Sequence, residues 1–150
     1  FKDLASFVRT EATATGTLFR EQHYGRKGIR RFLRDVLALA NADVENRDTW
    51  YGVAESGKKV YCPVPDEDFE HSSAYLAKVA TYIEPPLQLV HHRVTVDQNQ
   101  VGVFEIANCN DKPYMMRADH CERLRRGDAF TQVDGSIVKL GRHQLQAMFE

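Results

Sequence analysis

Ile29-Arg30-Arg31-Phe32-Leu33-Arg34-Asp35-Val36-Leu37-Ala38-Leu39-Ala40-Asn41, with Trp50-Tyr51-Gly52-Val53 after a charged loop, is the stretch that decides the fold. Ile29, Phe32, Leu33, Val36, Leu37 and Ala40 recur at i, i+3, i+4 and i+7, which puts them on one face of a helix from Ile29 to Ala42. Arg30, Arg31, Arg34 and Asp35 fall off that face. Asn41 is placed to end the helix in the left-handed conformation that asparagine tolerates. Trp50 to Val53 is aromatic and β-branched and reads as a half-buried strand. Glu55 to Lys58 reads as a turn and Lys59 to Cys62 as the returning strand of a hairpin.

Working outward, residues 1–11 carry Leu4, Phe7 and Val8 at helical spacing. Thr17 to Arg20 reads as a short strand, and His23 to Gly28 as a basic, glycine-rich loop. Downstream, Ser72 is a candidate N-cap for a helix to Ile83 with Leu76, Val79, Ala80 and Ile83 inward, stopped by Pro85-Pro86. Leu87 to Val96 and Val101 to Ala107 alternate like paired strands, with Asp97-Gln98-Asn99 as their turn. Pro113 to Met116 and Cys121 to Arg126 are further strand candidates. The chain closes on a helix from about Gly141 to Phe149, with Leu145 and Met148 inward. This order predicts a single α/β (α+β) domain over residues 1–150, a mixed β-sheet with helices packed on it.

The 150 residues, 43% hydrophobic and 27% charged, suffice for a proper core without staples. No apolar run approaches the roughly 18 residues that span a bilayer, so no membrane partner is expected. No signal-peptide pattern follows Phe1, which points to a cytoplasmic protein, or a nuclear one in a eukaryote. The missing initiator Met fits a fragment of a longer chain. Cys62, Cys109 and Cys121 are odd in number and widely spaced, which argues for a reducing compartment.

A net charge of −1 excludes binding to nucleic acid by overall charge, but not by a local basic face. Arg20, Arg26, Lys27, Arg30, Arg31 and Arg34 supply such a face, clustered around a helix start where backbone N–H groups also favour anions. Arg123, Arg125 and Arg126 form a second group. On a strand, Arg123 and Arg125 would point one way and Arg126 the other, and Arg125 could pair with an acid such as Glu105. His91, His92, His120 and the cysteines lack the tight paired spacing of a zinc site. Cys121 beside His120 is no dyad, because the partners must converge in space and not in sequence. No phosphate loop and no dinucleotide fingerprint is present, so no cofactor is expected.

The ordered pieces Leu18-Phe19-Arg20, Ala38-Leu39-Ala40-Asn41, Trp50-Tyr51-Gly52-Val53, Ile83-Glu84-Pro85, Val101 to Ile106, Lys112-Pro113-Tyr114, Arg125-Arg126-Gly127 and Gln144 to Met148 resemble the Schlafen-like AlbA-type domain over about residues 13–149. The resemblance implies DNA or RNA as partner. In some members it also implies RNA cleavage by clustered carboxylates around Mg²⁺ or Mn²⁺, hard ions that need acidic oxygens. Here the positions expected to carry two of those acids fall near Ala14 and at Leu18. Glu55 alone survives near the third, and Glu21 lies just past the strand.

These residues predict a catalytically inactive nucleic-acid-binding or regulatory module that contacts phosphate through Arg20, Arg26, Lys27, Arg30 and Arg31, with Arg125 and Arg126. The alternatives are a metal-dependent RNase using Glu21, Glu55 and Asp43, or an assembly domain that binds itself or another protein.

Overall fold

The fold is that of a computed structural model, which describes residues 4, 16–20, 23–24, 28–44, 47–56, 58–107, 109–133 and 136–149, without the side chains of 55, 56 and 58. The helix expected over residues 1–11 lies outside the described residues apart from Leu4.

A four-stranded sheet carries the fold. Its members are β1 (Thr17–Arg20), β2 (Arg47–Tyr51), β7 (Asn99–Ala107) and β6 (Gln88–Val96), in the order β1-β2-β7-β6. β1 and β2 run parallel, joined through helix α1 (Ile29–Asn41), while β7 is antiparallel to both β2 and β6. β6 and β7 meet at Asp97 and Gln98, whose φ values of 49° and 68° fit a two-residue hairpin turn matched to strand twist. The sheet is therefore mixed, as the sequence predicts.

α1 is buried more completely than its one-sided pattern suggests. Phe32, Leu33 and every residue from Asp35 to Asn41 are buried. The run Leu37-Ala38-Leu39-Ala40 is apolar all round, and such a helix must be covered on more than one side. The sheet covers one side. A ribbon of β9 (Phe130–Val133) and β10 (Ser136–Lys139), not anticipated from sequence, packs on another. Asp35, expected outside, is fully buried.

Other boundaries differ for physical reasons. Gly52, at φ 87°, interrupts the expected Trp50–Val53 strand, so that β2 ends at Tyr51 and β3 (Val53–Ser56) pairs with β4 (Lys58–Tyr61). A Cβ at Gly52 would crowd Val64 Cγ2 at 2.6 Å. Trp50 and Tyr51 are fully buried, not half-buried. Helix α2 spans Asp66–Tyr82, seven residues earlier than the Ser72 cap implies. Asp66, Glu67 and Asp68 complement its N-terminal dipole, and Ser72 is an interior residue whose hydroxyl donates to the Asp68 carbonyl at 3.1 Å. Its buried side chains are Phe69, Ser72, Tyr75 and Val79, and Ala80 is exposed.

β5 (Ile83–Glu84) pairs with β8 (Met115–Met116). Cys121 to Arg126 is not a strand. A lone bridge, Cys121 to Leu124, closes a turn there. Helix α3 (Arg142–Phe149) buries none of its residues fully, and Leu145 and Met148 are half-covered. Two apolar cores flank the sheet. The larger joins Leu18, Phe104 and Ile106 to α1 and α2, and the smaller gathers Trp50, Val53, Val94, Val96, Val101 and Val103.

Candidate nucleic-acid interface

Among the described residues, the start of α1 is open to an anion. Gly28 occupies the N-cap without a side-chain cap, and no acid lies in the first turn. The first N–H groups of a helix have no partner within it, so this end is electropositive. Arg30 is half-buried and Arg31 exposed, and neither makes an ion pair among the described residues. Arg34, one turn on, has a buried Nε without a hydrogen-bond partner among them. The start of α2 is the opposite case, with three acids in its first turn. Arg26 and Lys27 lie outside the described residues.

Arg20 is in a different situation from the other arginines. Its Nε donates to Asp35 Oδ2 at 3.0 Å and its Nη2 to Oδ1 at 2.8 Å. The Tyr24 hydroxyl donates to Asp35 Oδ2 at 2.6 Å and lies 2.8 Å from Thr49 Oγ1. Burial alone would lower the Arg20 pKa, but the hydrogen bond and charge of Asp35, helped by Tyr24, raise it. Burial, and then Asp35, push Tyr24 well above the usual tyrosine range. The pair ties β1 to α1, and this engagement removes Arg20 from the set of arginines open to phosphate. The sequence pattern hides Asp35 because it lies off the i, i+3, i+4 face. Its sign, opposite to that of three neighbouring arginines, is the signal that could have found it.

Arg125 and Arg126 sit on an exposed turn whose backbone is held on all sides. Arg125 N donates to Asp128 Oδ2 at 2.9 Å and Arg126 N to Asp119 Oδ1 at 2.8 Å. Gly127 N donates to the Met116 carbonyl, and Met116 N to that of Asp128. Gly127 needs its φ of 88° for this turn. The side chains of Arg123, Arg125 and Arg126 are left exposed, and Arg125 is not paired with Glu105, which contacts His92 at 3.2 Å.

The second basic group is tied to the C-terminal end of α1 through Met116 and Tyr114. Asn41, at its C-terminal end, donates to the carbonyls of Tyr114 and Phe130 at 2.8 and 2.9 Å and accepts from Tyr114 N at 2.7 Å. Tyr114 is next to β8, which holds the arginine turn. A helix of this length rises roughly 18 Å. Asn41 thus acts as a buried clamp, and the residue after the helix, Ala42, is extended and not left-handed. Other cations serve the scaffold. Lys112 Nζ and Arg47 Nη2 donate to the Ala42 carbonyl at 2.9 and 3.0 Å, and Arg117 donates to the carbonyls of Ala80 and Thr81.

The candidate nuclease acids do not meet among the described residues. Glu21 and the Glu55 side chain lie outside them, and Asp43 is exposed just past the C-terminal end of α1. Leu18, where the resemblance expects an acid, is packed in the larger core. No group of three or more His, Cys, Asp or Glu able to hold a metal occurs among the described residues. No described helix is long and apolar enough to cross a membrane.

The family model for Schlafen, AlbA_2 matches residues 17–140. The chain belongs to this family. Among solved structures, the DIP2311 protein from Corynebacterium diphtheriae superposes with a TM-score of 0.58 at 12% identity, over 94% of this chain and 29% of that one. The N-terminal domain of a protein from Nitrosomonas europaea, described as related to the ATP-dependent DNA helicase RecG, superposes with a TM-score of 0.54 at 17% identity, over 92% of each chain. At these identities the likeness is one of fold. This AlbA_2 domain spans less than a third of the Corynebacterium chain. No curated protein matches it.

Proposed function

We propose that this AlbA_2 domain is a non-catalytic nucleic-acid-binding module that contacts phosphate at the start of α1. The observation that carries the reading is the uncapped, acid-free N-terminus of α1 with Arg30 and Arg31 beside it, unpaired among the described residues. An anion there gains both the N–H groups of the helix end and the guanidinium charge. Arg123, Arg125 and Arg126 form a second contact point on a turn already held rigid, so little ordering cost is added on binding. Family membership, and a Nitrosomonas neighbour described as related to a DNA helicase, support a nucleic-acid role in general.

Phosphate contacts of this kind release counterions, so affinity must fall linearly with the logarithm of salt concentration. Fluorescence anisotropy with labelled single- and double-stranded DNA and RNA, between about 50 and 200 mM salt, tests it. The expected slope corresponds to a few phosphates. Absence of binding to any of the four probes at low salt overturns the reading.

A further inference from the structure

Side chains from four parts of the fold form one continuous hydrogen-bonded chain. His23 Nε2, between β1 and α1, lies 3.3 Å from Ser72 Oγ on α2. Ser72 Oγ lies 3.1 Å from the Tyr51 hydroxyl on β2, and that hydroxyl 2.7 Å from His91 Nε2 on β6. Ser72 also donates to the Asp68 carbonyl. The four contacts need four protons. Ser72 and Tyr51 supply one each, so the imidazoles must supply the other two. His91 Nε2–H then donates to Tyr51, Tyr51 to Ser72 and Ser72 to the Asp68 carbonyl, with His23 Nε2–H donating to Ser72. Full satisfaction fixes both histidines as Nε2–H tautomers.

Tyr51 reaches this place because β7 has glycine at 102, where any Cβ would fall inside the Tyr51 ring. The His23 ring stacks on Tyr75 with centroids 4.9 Å apart and meets Tyr51 edge-on at 4.7 Å. His23 is followed by Tyr24, whose carbonyl packs so closely on the N-cap Gly28 that a Cβ there would overlap it. The chain thus anchors, through His23, the segment that leads into the arginine-bearing start of α1.

A second proton on His91 would put a cation in a poor place. His92 and Arg93 adjoin it on β6, and His23 faces it from the segment after β1. From β2 comes Tyr51 and from β7 Phe104. On β7, Glu105 is engaged with His92. On α2, Asp66 is engaged with Arg93 at 2.6 Å, His71 adds a titratable group near His23, and Asp68 remains as an acid near the cluster. Burial first, then His92 and His23, push the His91 pKa down to about 4.

We propose that Tyr51, Ser72 and His91 are positioning residues for the nucleic-acid-binding start of α1, acting through His23. The inference rests on the proposed binding function.

The test uses the whole chain at pH 7, with oligouridylate and oligothymidylate as probes. His91→Gln puts an amide N–H where Nε2–H stands, and His91→Leu removes that donor. H91L and Tyr51→Phe are expected to bind several-fold more weakly than wild type, with H91Q restoring most of the affinity that H91L loses and circular dichroism confirming the fold of each. Long-range ¹H–¹⁵N NMR should show both imidazoles as Nε2–H at pH 7. Folded H91L and Y51F proteins that bind as tightly as wild type overturn the inference, as does an Nδ1–H tautomer at His91. No binding by wild type overturns the functional reading itself.

Discussion

The Asp35 carboxylate on α1 is fully buried and accepts both of its shortest charged contacts from a single residue, Arg20 of β1, at 2.8 and 3.0 Å. A bidentate pair of this kind fixes the distance and rotation between the first strand and the helix that crosses to the second. It also explains why the buried α1 tolerates an acid facing inward: Tyr24 supplies a further donor at 2.6 Å, so the charge is solvated by the protein.

Removing one member leaves the other charge without its partner. Asp35→Ala is expected to lower unfolding stability by about 3–5 kcal/mol, the usual cost of breaking a buried pair from one side. The double variant Arg20→Met/Asp35→Leu should lose less than Asp35→Ala alone, because no charge is stranded. Urea denaturation of the three proteins checks this. A loss under about 1 kcal/mol for Asp35→Ala would mean that the pair does not hold the crossover.

Gly102→Ala makes a second prediction, from packing alone. A Cβ at 102 overlaps the Tyr51 ring, which is itself fully buried and cannot step aside. Overpacking of this sort costs about 1–3 kcal/mol. The same variant should weaken the Tyr51–His91 hydrogen bond, visible as a shift of the His91 imidazole resonances. Gly127→Ala, with nothing within 4 Å of the added Cβ, should lose only what its φ of 88° costs, roughly 1 kcal/mol.

What is legible in the sequence follows from which forces are local. The strand alternation over Gln88–Val96 and Asn99–Ala107, the turn between them and the apolar stripe of α1 are set by near neighbours, and each is readable. The start of α2 is misplaced by the sequence because serine signals both a helix cap and an interior back-bond, and only packing against Tyr51 selects the second. β9 and β10 are invisible for a similar reason. Their four-residue strands are too short for a pattern, and they are held in part by contacts far away in sequence, such as Gln132 with Gly16 and Thr17. Among the candidate arginines, charge type is legible and availability is not. Nothing local distinguishes Arg20, which is committed to Asp35, from Arg31, which is exposed.

The lowered pKa of His91 makes stability depend on pH. Its folded value of about 4 lies below the roughly 6.5 of an unfolded histidine, so between those values the unfolded chain binds more protons. This contribution is neutral above pH 6.5, destabilises progressively as pH falls, and levels off below 4. His23, also lowered chiefly by burial, acts in the same direction. At about 1.4 kcal/mol per unit, discounted for the partial exposure of His91, the loss is about 2 kcal/mol by pH 4. Wild type and His91→Gln, compared by urea unfolding at pH 7 and 4, share every carboxylate effect, so their stability gap should shift by that amount in favour of the variant. An unchanged gap would place the titration of His91 near the ordinary histidine value.

The placement of the two basic groups makes the last prediction one of additivity. Arg30→Ala/Arg31→Ala and Arg125→Ala/Arg126→Ala remove charges from the start of α1 and from a turn tied, through Met116 and Tyr114, to its C-terminal end. Sites without shared partners perturb binding independently, to within about 0.5 kcal/mol. Each double variant should flatten the salt dependence by up to about two phosphates, with little change in folding stability, since neither pair of side chains makes an ion pair among the described residues. If one ligand strand reaches both ends, the quadruple variant shows the sum of the two losses. If only the start of α1 binds, the Arg125/Arg126 variant leaves affinity and slope unchanged, and the contact surface is confined to the helix end that lacks both a cap and an acid.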